Sequence, residues 1–318
     1  MSVSRLPVVS IIGPTAVGKT QLSLDIARNL NAEIISVDSR QIYRYLDIGT
    51  DKISPQERKE VIHHLIDVAD PDEVFTVMDF IEQAAEAANR ITRRGKRVLF
   101  VGGTPFYYHA LFKGSINPDL PCDQAVRREI EERFRENGKD ALFEELRRID
   151  AETAGRLHPN DTRRIVRALE IYELTGNPPS RCYQEARSFK SPFSNLYIGL
   201  NRPRSELYDN IDLRVRKQFS NGYVEEVKWL LNNSFPEDLP SLQGFGYREI
   251  VELLKGNLSM EEAIISDIKA TKAFSRRQMT WFRKFSPIMW YDTSVVSPGD
   301  IRTQVISMCE AHYEEAQA

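Results

Sequence analysis

Four stretches of the chain carry the short, near-continuous apolar runs that a strand buried on both faces requires. They are Val8-Val9-Ser10-Ile11-Ile12, "AEIISVDS" (32–39), "RVLFVGG" (97–103) and "SNLYIGL" (194–200). Helix-forming residues fill "DFIEQAAEAANRITRRGK" (79–96), which stops near Gly95 and feeds the third run. This alternation predicts an α/β architecture with a parallel sheet. From about Pro121 to Lys190 the pattern changes. Val126, Ile130 and Phe134 recur at helical spacing, and Leu142, Leu146 and Ile149 continue it after Gly138. Acidic and basic side chains are nearly balanced there, as on solvated helices. Pro178-Pro179 and Pro192 mark the return to the core, and after residue 204 the chain is again mostly helical. The expected organisation is a core of residues 1–120 and 191–318 with an all-helical insertion at 121–190.

Composition narrows the class without deciding it. The 318 residues are 41% hydrophobic and 28% charged, ordinary for a globular chain, and the net charge is −3. A wholly basic nucleic-acid binder is excluded; local basic patches are not. Cys122, Cys182 and Cys309 form no CxxC pair and are expected as reduced thiols, not zinc ligands. Residues 8–12 are too short for a signal-peptide core, and no run approaches the ~18 apolar residues of a membrane span. A cytoplasmic protein is expected, by default a monomer.

The first apolar run leads into "GPTAVGKT" (13–20) and then a helical pattern. Strand–GxxxxGK[ST]–helix is a phosphate-binding loop. Its amides and the helix N-terminus cradle phosphate oxygens, Lys19 adds a charge and the Thr20 hydroxyl suits Mg²⁺. Nothing in the loop says whether the phosphates belong to ATP or to another diphosphate. A kinase normally adds an acidic residue at the end of another core strand. Residues 97–103 instead run into "GGTPFYY", offering glycines for close approach and the Thr104 hydroxyl. Asp38 also follows a strand; it serves equally as a metal aspartate or as a general base.

"IKATKAFSRRQMTWFRKFSPIMWY" (268–291) holds six basic residues and no acidic one. Lys269, Lys272, Arg276 and Arg283 share a helical stripe, with Phe274, Trp281 and Phe285 on an apolar face expected to pack into the core. "HPNDTRRIVRALE" (158–170) adds Arg163, Arg164 and Arg167. Two basic helical faces point to a phosphate backbone such as RNA.

Together with "EIISVDSRQIYRYLDIGTDK", "HHLIDVADPDEVFTVMDF", "VGGTPFYYHALF", "HPNDTRRIVRALEIYELTG", "GFGYREI" and "RRQMTWFRKF", these stretches resemble the tRNA dimethylallyltransferase family, bacterial type, along almost the whole chain. The resemblance implies a P-loop NTPase-like parallel sheet flanked by helices, with an inserted all-helical domain. It implies transfer of a dimethylallyl group from dimethylallyl diphosphate to N6 of the adenosine 3′-adjacent to the anticodon, with Mg²⁺. Asp38 then matches the catalytic base and Thr104 the residue bonding the bridging oxygen. Gly13, Thr15, Ala16, Val17, Gly18, Lys19, Thr20 and Arg214 match the diphosphate site, with Thr20 on the metal. Asp38, Ser39, Arg40, Gln41, Thr104 and Arg127 match tRNA-contacting positions. So do Arg163, Arg164, Arg167, Gln243, Gly246, Tyr247, Arg248, Arg276, Arg277, Trp281 and Arg283.

The chain departs from the family at Pro105-Phe106, at Asn210 and Ala273, where an arginine and a glutamine are common, and by one residue around Cys122. Two rivals stand beside this reading: an adenylate isopentenyltransferase acting on free nucleotides, and a P-loop kinase of a small metabolite. The basic faces weigh against the first and "GGT" against the second. A nucleotide-dependent RNA switch lacks an NKxD motif.

Overall fold

The structure, a computed structural model, describes residues 5–113, 120–185 and 191–316. It contains two compact units, Met1–Tyr108 with Pro192–Ala318, and His109–Ser191.

The first unit is built on a six-stranded sheet of order β3-β2-β4-β1-β5-β6. The strands are β1 (Leu6–Ile12), β2 (Ala32–Val37), β3 (His63–His64), β4 (Arg97–Gly102), β5 (Phe193–Asn201) and β6 (Met289–Asp292), and their pairings are all parallel. Helices α1 (Lys19–Asn29), α2 (Pro55–Glu60), α3 (Val77–Arg93) and α4 (Pro105–Lys113) alternate with the first strands. In the second unit follow α5 (Gln124–Ile149), α6 (Ala151–Arg156), α7 (Thr162–Thr175) and α8 (Pro179–Glu185). The first unit resumes with α9 (Arg204–Ser220), α10 (Tyr223–Asn232), α11 (Tyr247–Leu254), α12 (Met260–Phe282) and α13 (Pro298–Glu315).

The apolar runs are continuous because helices cover both faces of the sheet. All six residues of β2 are buried. One core cluster joins Val9, Ile11, Ile26, Leu99, Ile198 and Val305; a second gathers Leu46, Tyr223, Val227, Leu242 and Tyr247. The four expected strands are present. Two more, β3 and β6, occupy the sheet edges and have no sequence signature: β3 is two residues long, and β6 overlaps the end of the basic stretch 268–291. The helix expected over 79–96 begins at Val77, because Thr76 accepts from the Met78 and Asp79 amides and caps it.

The second unit is helical. Ile130, Leu142, Leu146, Ile165, Val166 and Leu169 form its core. Gly138 (φ 79°, ψ 170°) bends α5 between the two apolar series seen in the sequence.

The carboxyl edge of the sheet carries the candidate chemistry. There β1 enters the glycine loop, β2 reaches Asp38 and β4 reaches Gly103-Thr104. Val37 and Gly102 are paired residues, and a Cβ on Gly102 would lie 2.1 Å from the Val37 carbonyl oxygen. Glycine at that position brings Asp38 and Thr104 together.

Candidate active site

Gly18 caps α1 with φ 99°, a left-handed conformation that favours glycine at the turn from loop to helix. The loop floors a pocket of about 500 Å³ whose walls include Thr20, Asp38, Asp51, Arg214 and Phe274. Lys19 is folded back, its Nζ donating to the carbonyls of Gly13 (3.0 Å) and Pro14 (2.7 Å). Burial, and then the nearby Arg214 guanidinium, lower its pKa to about 7 against the opposing pull of Asp38 and Asp51. Arg214 pairs with Asp51 (3.4 Å), while its Nε is buried without a partner among the described residues. Asn210, the departure from the family pattern, donates to the Ala16 carbonyl (3.3 Å).

A second pocket, of about 340 Å³, adjoins the first, and both are lined by Thr15, Asp38, Thr50, Arg214 and Phe274. It opens past Ser39, Arg40, Tyr43, Thr104 and Phe245. Asp38 Oδ1 accepts the amides of Arg40 (2.9 Å) and Gln41 (3.3 Å), which fixes the carboxylate; Oδ2 has no hydrogen-bond partner among the described residues. The Thr104 hydroxyl oxygen accepts the Ser39 amide (3.2 Å), so its own proton is directed to another acceptor.

Arg40 is held from several sides. Its Nη2 donates to the Ser241 carbonyl (2.8 Å), and its guanidinium stands 4.9 Å from the Tyr247 ring centre. A Cβ on Gly244 would fall 1.0 Å from Arg40 Nη1. "QGFGYR" is therefore a cradle for Arg40. Gly246 and Tyr247 are buried, and the Tyr247 hydroxyl donates to Glu226 (2.7 Å), so both lie beneath the surface expected to contact tRNA. Gln243 and Arg248 are exposed.

Sequence reasoning missed two residues. Gln278, on α12, accepts the Thr15 amide (2.9 Å) and donates to the Gly103 carbonyl (2.6 Å). Glu226 accepts the successive amides of Asp47, Ile48 and Gly49 (2.9, 2.6 and 3.2 Å), fixing the loop that carries Thr50 and Asp51. The signal for Gln278 is a polar residue on the inner side of an amphipathic helix, visible only once the helix phase is known. The expected apolar face of α12 needs a related correction. Phe285 is buried, Trp281 meets Phe106 edge-on and is half-buried, but Phe274 faces the two pockets. The buried face is Ile264, Asp267, Ile268, Thr271, Ser275, Gln278 and Phe282, one phase away from the aromatic spacing.

The basic residues divide by partner. Lys272 pairs with Asp212 (2.6 Å), whereas Lys269, Arg276, Arg277, Arg283 and Lys284 have no carboxylate partner among the described residues. In the second unit a groove of about 520 Å³ is lined by Arg127, Arg135, Arg163 and Arg167 with Phe134. Buried Glu170 orients Arg127 (2.9 Å) and Arg167 (2.8 Å). Arg164 lies off this groove and pairs with Asp161 (3.4 Å).

A glycine loop suited to phosphates, with the carboxylates of Asp38 and Asp51 and the Thr104 hydroxyl around two adjoining pockets, is the arrangement of a P-loop group transferase. The chain belongs to the IPP transferase family, whose model matches residues 41–285; a model for isopentenyl transferase matches residues 6–71. It is 43% identical over 284 residues to a tRNA dimethylallyltransferase of Lachnoclostridium phytofermentans, covering 89% of this chain and 91% of that one. The tRNA isopentenylpyrophosphate transferase of Bacillus halodurans superposes with a TM-score of 0.72 at 38% identity, covering 98% of each chain. A eukaryotic dimethylallyltransferase acting on tRNA superposes with a TM-score of 0.84 at 26% identity, over 98% of this chain and 80% of that one. The fold expected from the sequence is the fold found.

Proposed function

We propose that this enzyme transfers the dimethylallyl group of dimethylallyl diphosphate to the exocyclic N6 of the adenosine 3′-adjacent to the anticodon of tRNA. The observation that carries this reading is the pair of adjoining pockets meeting at Asp38 and Arg214. One suits a diphosphate; the other, beside Asp38, suits an acceptor entering from the opposite side.

The chemistry follows from the atoms present. The N6 lone pair attacks C1 of the allylic diphosphate, the C1–O bond breaks, and its electron pair leaves with diphosphate. Loop amides, Lys19 and Arg214 stabilise the charge that develops on the leaving group. Thr104, its oxygen already occupied by the Ser39 amide, donates its proton as a hydrogen bond to the bridging oxygen. Asp38, held through Oδ1, accepts the N6 proton at Oδ2. An aromatic amine is a weak nucleophile, so this positioning matters as much as basicity.

Mg²⁺ is proposed as cofactor. No group of three or more His, Cys, Asp or Glu side chains placed to hold a metal occurs among the described residues, while Thr20 is exposed at the start of α1. That donor set fits a hard cation held by Thr20, substrate phosphate oxygens and water. When bound, the ion neutralises charge on the departing diphosphate. Lys269, Arg276 and Arg277 of α12, Arg283 and Lys284 just past its end, and the arginine groove of the second unit are proposed as the tRNA surface. Among the described residues no helix is long and apolar enough to cross a membrane; a cytoplasmic, monomeric enzyme completes the proposal.

The test is radiolabel transfer from dimethylallyl diphosphate into an anticodon stem-loop RNA, with AMP and ATP as parallel acceptors. Label is expected in the RNA and lost with Asp38→Ala and Thr104→Ala. Label confined to the free nucleotides, or phosphate release without a prenyl donor, would overturn the reading.

A further inference from the structure

The residues lining the two pockets come from loops, strand ends, the first turn of α1 and a few positions on α9 and α12, and among the α9 and α12 residues Gln278 ties two of the loops together. Its side chain is 3% exposed. One amide group spans the gap between the phosphate loop and the turn bearing Thr104: Oε1 takes the Thr15 N–H, and Nε2 gives to the carbonyl of Gly103, the residue before Thr104. Gly103 is fitted to it, since a Cβ there would lie 2.4 Å from Gln278 Nε2.

The chemistry of that gap selects the residue. One side faces a donor, the part-buried Thr15 amide, and the other an acceptor, the buried Gly103 carbonyl, and an unmatched polar group there is costly. A carboxylate offers only acceptors, an ammonium only donors and a thioether neither useful bond; an amide of this length offers both. The two tethered elements would both hold the leaving group, one at its phosphates and the other at the oxygen of the breaking bond. Thr15 belongs to the loop that would grip the diphosphate, and Thr104 would bond its bridging oxygen. We infer that Gln278 is a positioning residue for the transfer reaction, setting the separation between phosphate loop and Thr104 turn. The inference rests on the diphosphate reading of the first pocket and adds a residue to it.

Gln278→Met preserves length and removes both bonds; Gln278→Glu keeps the acceptor for Thr15 but sets a carboxylate against the Gly103 carbonyl. Each is compared with wild type for steady-state transfer, inorganic diphosphate binding by calorimetry, and thermal unfolding. The Met variant is expected to lose diphosphate affinity and to lower kcat by at least about tenfold, with KM for the RNA within about twofold of wild type. The Glu variant is expected to recover diphosphate binding and not kcat, a split that a merely structural role does not produce. Unchanged kcat in the Met variant overturns the inference. So does a loss of kcat and diphosphate binding in equal measure in both variants. Should the Met variant fail to fold, the Glu variant decides on the same split. A wild-type enzyme that transfers no prenyl group to RNA would refute the functional reading instead, and the diphosphate arm would still report on the loop tether.

Discussion

Single side chains in this protein often do one task set by their burial. Asp267, on the inner face of α12, is 3% exposed, and burial raises its pKa to about 6. It accepts from Thr271 (3.1 Å); Glu249 raises it further, Arg214 and Arg40 oppose, and the buried Tyr223 hydroxyl shares the site. With a folded pKa above the unfolded value of 3.8, the native state binds the extra proton between roughly pH 4 and 6. Stability therefore falls as pH rises through that window and stays reduced above it. Asp267→Asn keeps the shape without the charge. It should raise unfolding free energy at pH 8 by on the order of 2–3 kcal/mol, the gain vanishing below about pH 4, as denaturant titrations at both pH values will report. Gly244 offers a second test. Gly244→Ala places a methyl group on the Arg40 guanidinium, so it should mimic Arg40→Ala and weaken stem-loop binding roughly tenfold, with diphosphate binding unchanged. Divergent effects of the two substitutions would separate Gly244 from Arg40.

At the scale of elements, β2 is anchored by an acid that its sequence pattern does not advertise. Glu33 is 1% exposed and is met by His64 (2.7 Å), Arg94 (2.5 Å) and Lys96 (3.2 Å), which hold its pKa low against the cost of burial. Its contribution is present above the unfolded carboxylate pKa and fades as the solution turns acid. Glu33→Gln should cost about 3–5 kcal/mol at pH 7 and much less at pH 3, measured by chemical unfolding. Equal losses at the two pH values would assign the cost to packing instead of charge. How much was legible follows from how local each signal is. The glycine loop, Asp38 and Thr104 sit at strand ends, so spacing alone places them on one edge of the sheet. Gln278 and Glu226 were illegible because their partners lie far away in sequence, at Thr15 and at Asp47–Gly49. Phe274 was misplaced because its spacing to Trp281 and Phe285 fits a helix, although α12 ends at Phe282 and its inner face is set by Ile264 and Ile268. The two edge strands were missed because short strands carry too few residues for a period.

Across the molecule, charge is distributed by pairing and not by count. The chain is net negative, yet among the described residues Lys269, Arg276, Arg277, Arg283 and Lys284 stand without acids, while most other arginines are neutralised by neighbours. Cations free to meet phosphates release counterions when they do so. Arg276→Ala, Arg277→Ala and Arg163→Ala should each lower the slope of log affinity against log salt for the stem-loop by about 1. Arg164→Ala, already countered by Asp161, should change it less. Filter binding over a range of salt concentrations measures this directly, and a uniform effect across all four would remove the distinction between paired and unpaired arginines.

The order of strands in the sheet also governs how the molecule is made. β1 lies between β4 and β5, and its partners in β5 begin at Phe193, after the whole inserted unit His109–Ser191. The insertion is continuous in sequence and closes its own core from Ile130 to Leu169. During synthesis it can become compact while the phosphate loop, among the first residues to emerge, still waits for its far neighbour. At 5–20 residues per second that wait lasts on the order of ten seconds or more. A ribosome-bound chain halted before β5 would thus carry a protease-resistant insertion attached to an unfinished sheet, and the oldest part of the chain would be the last to reach its final form.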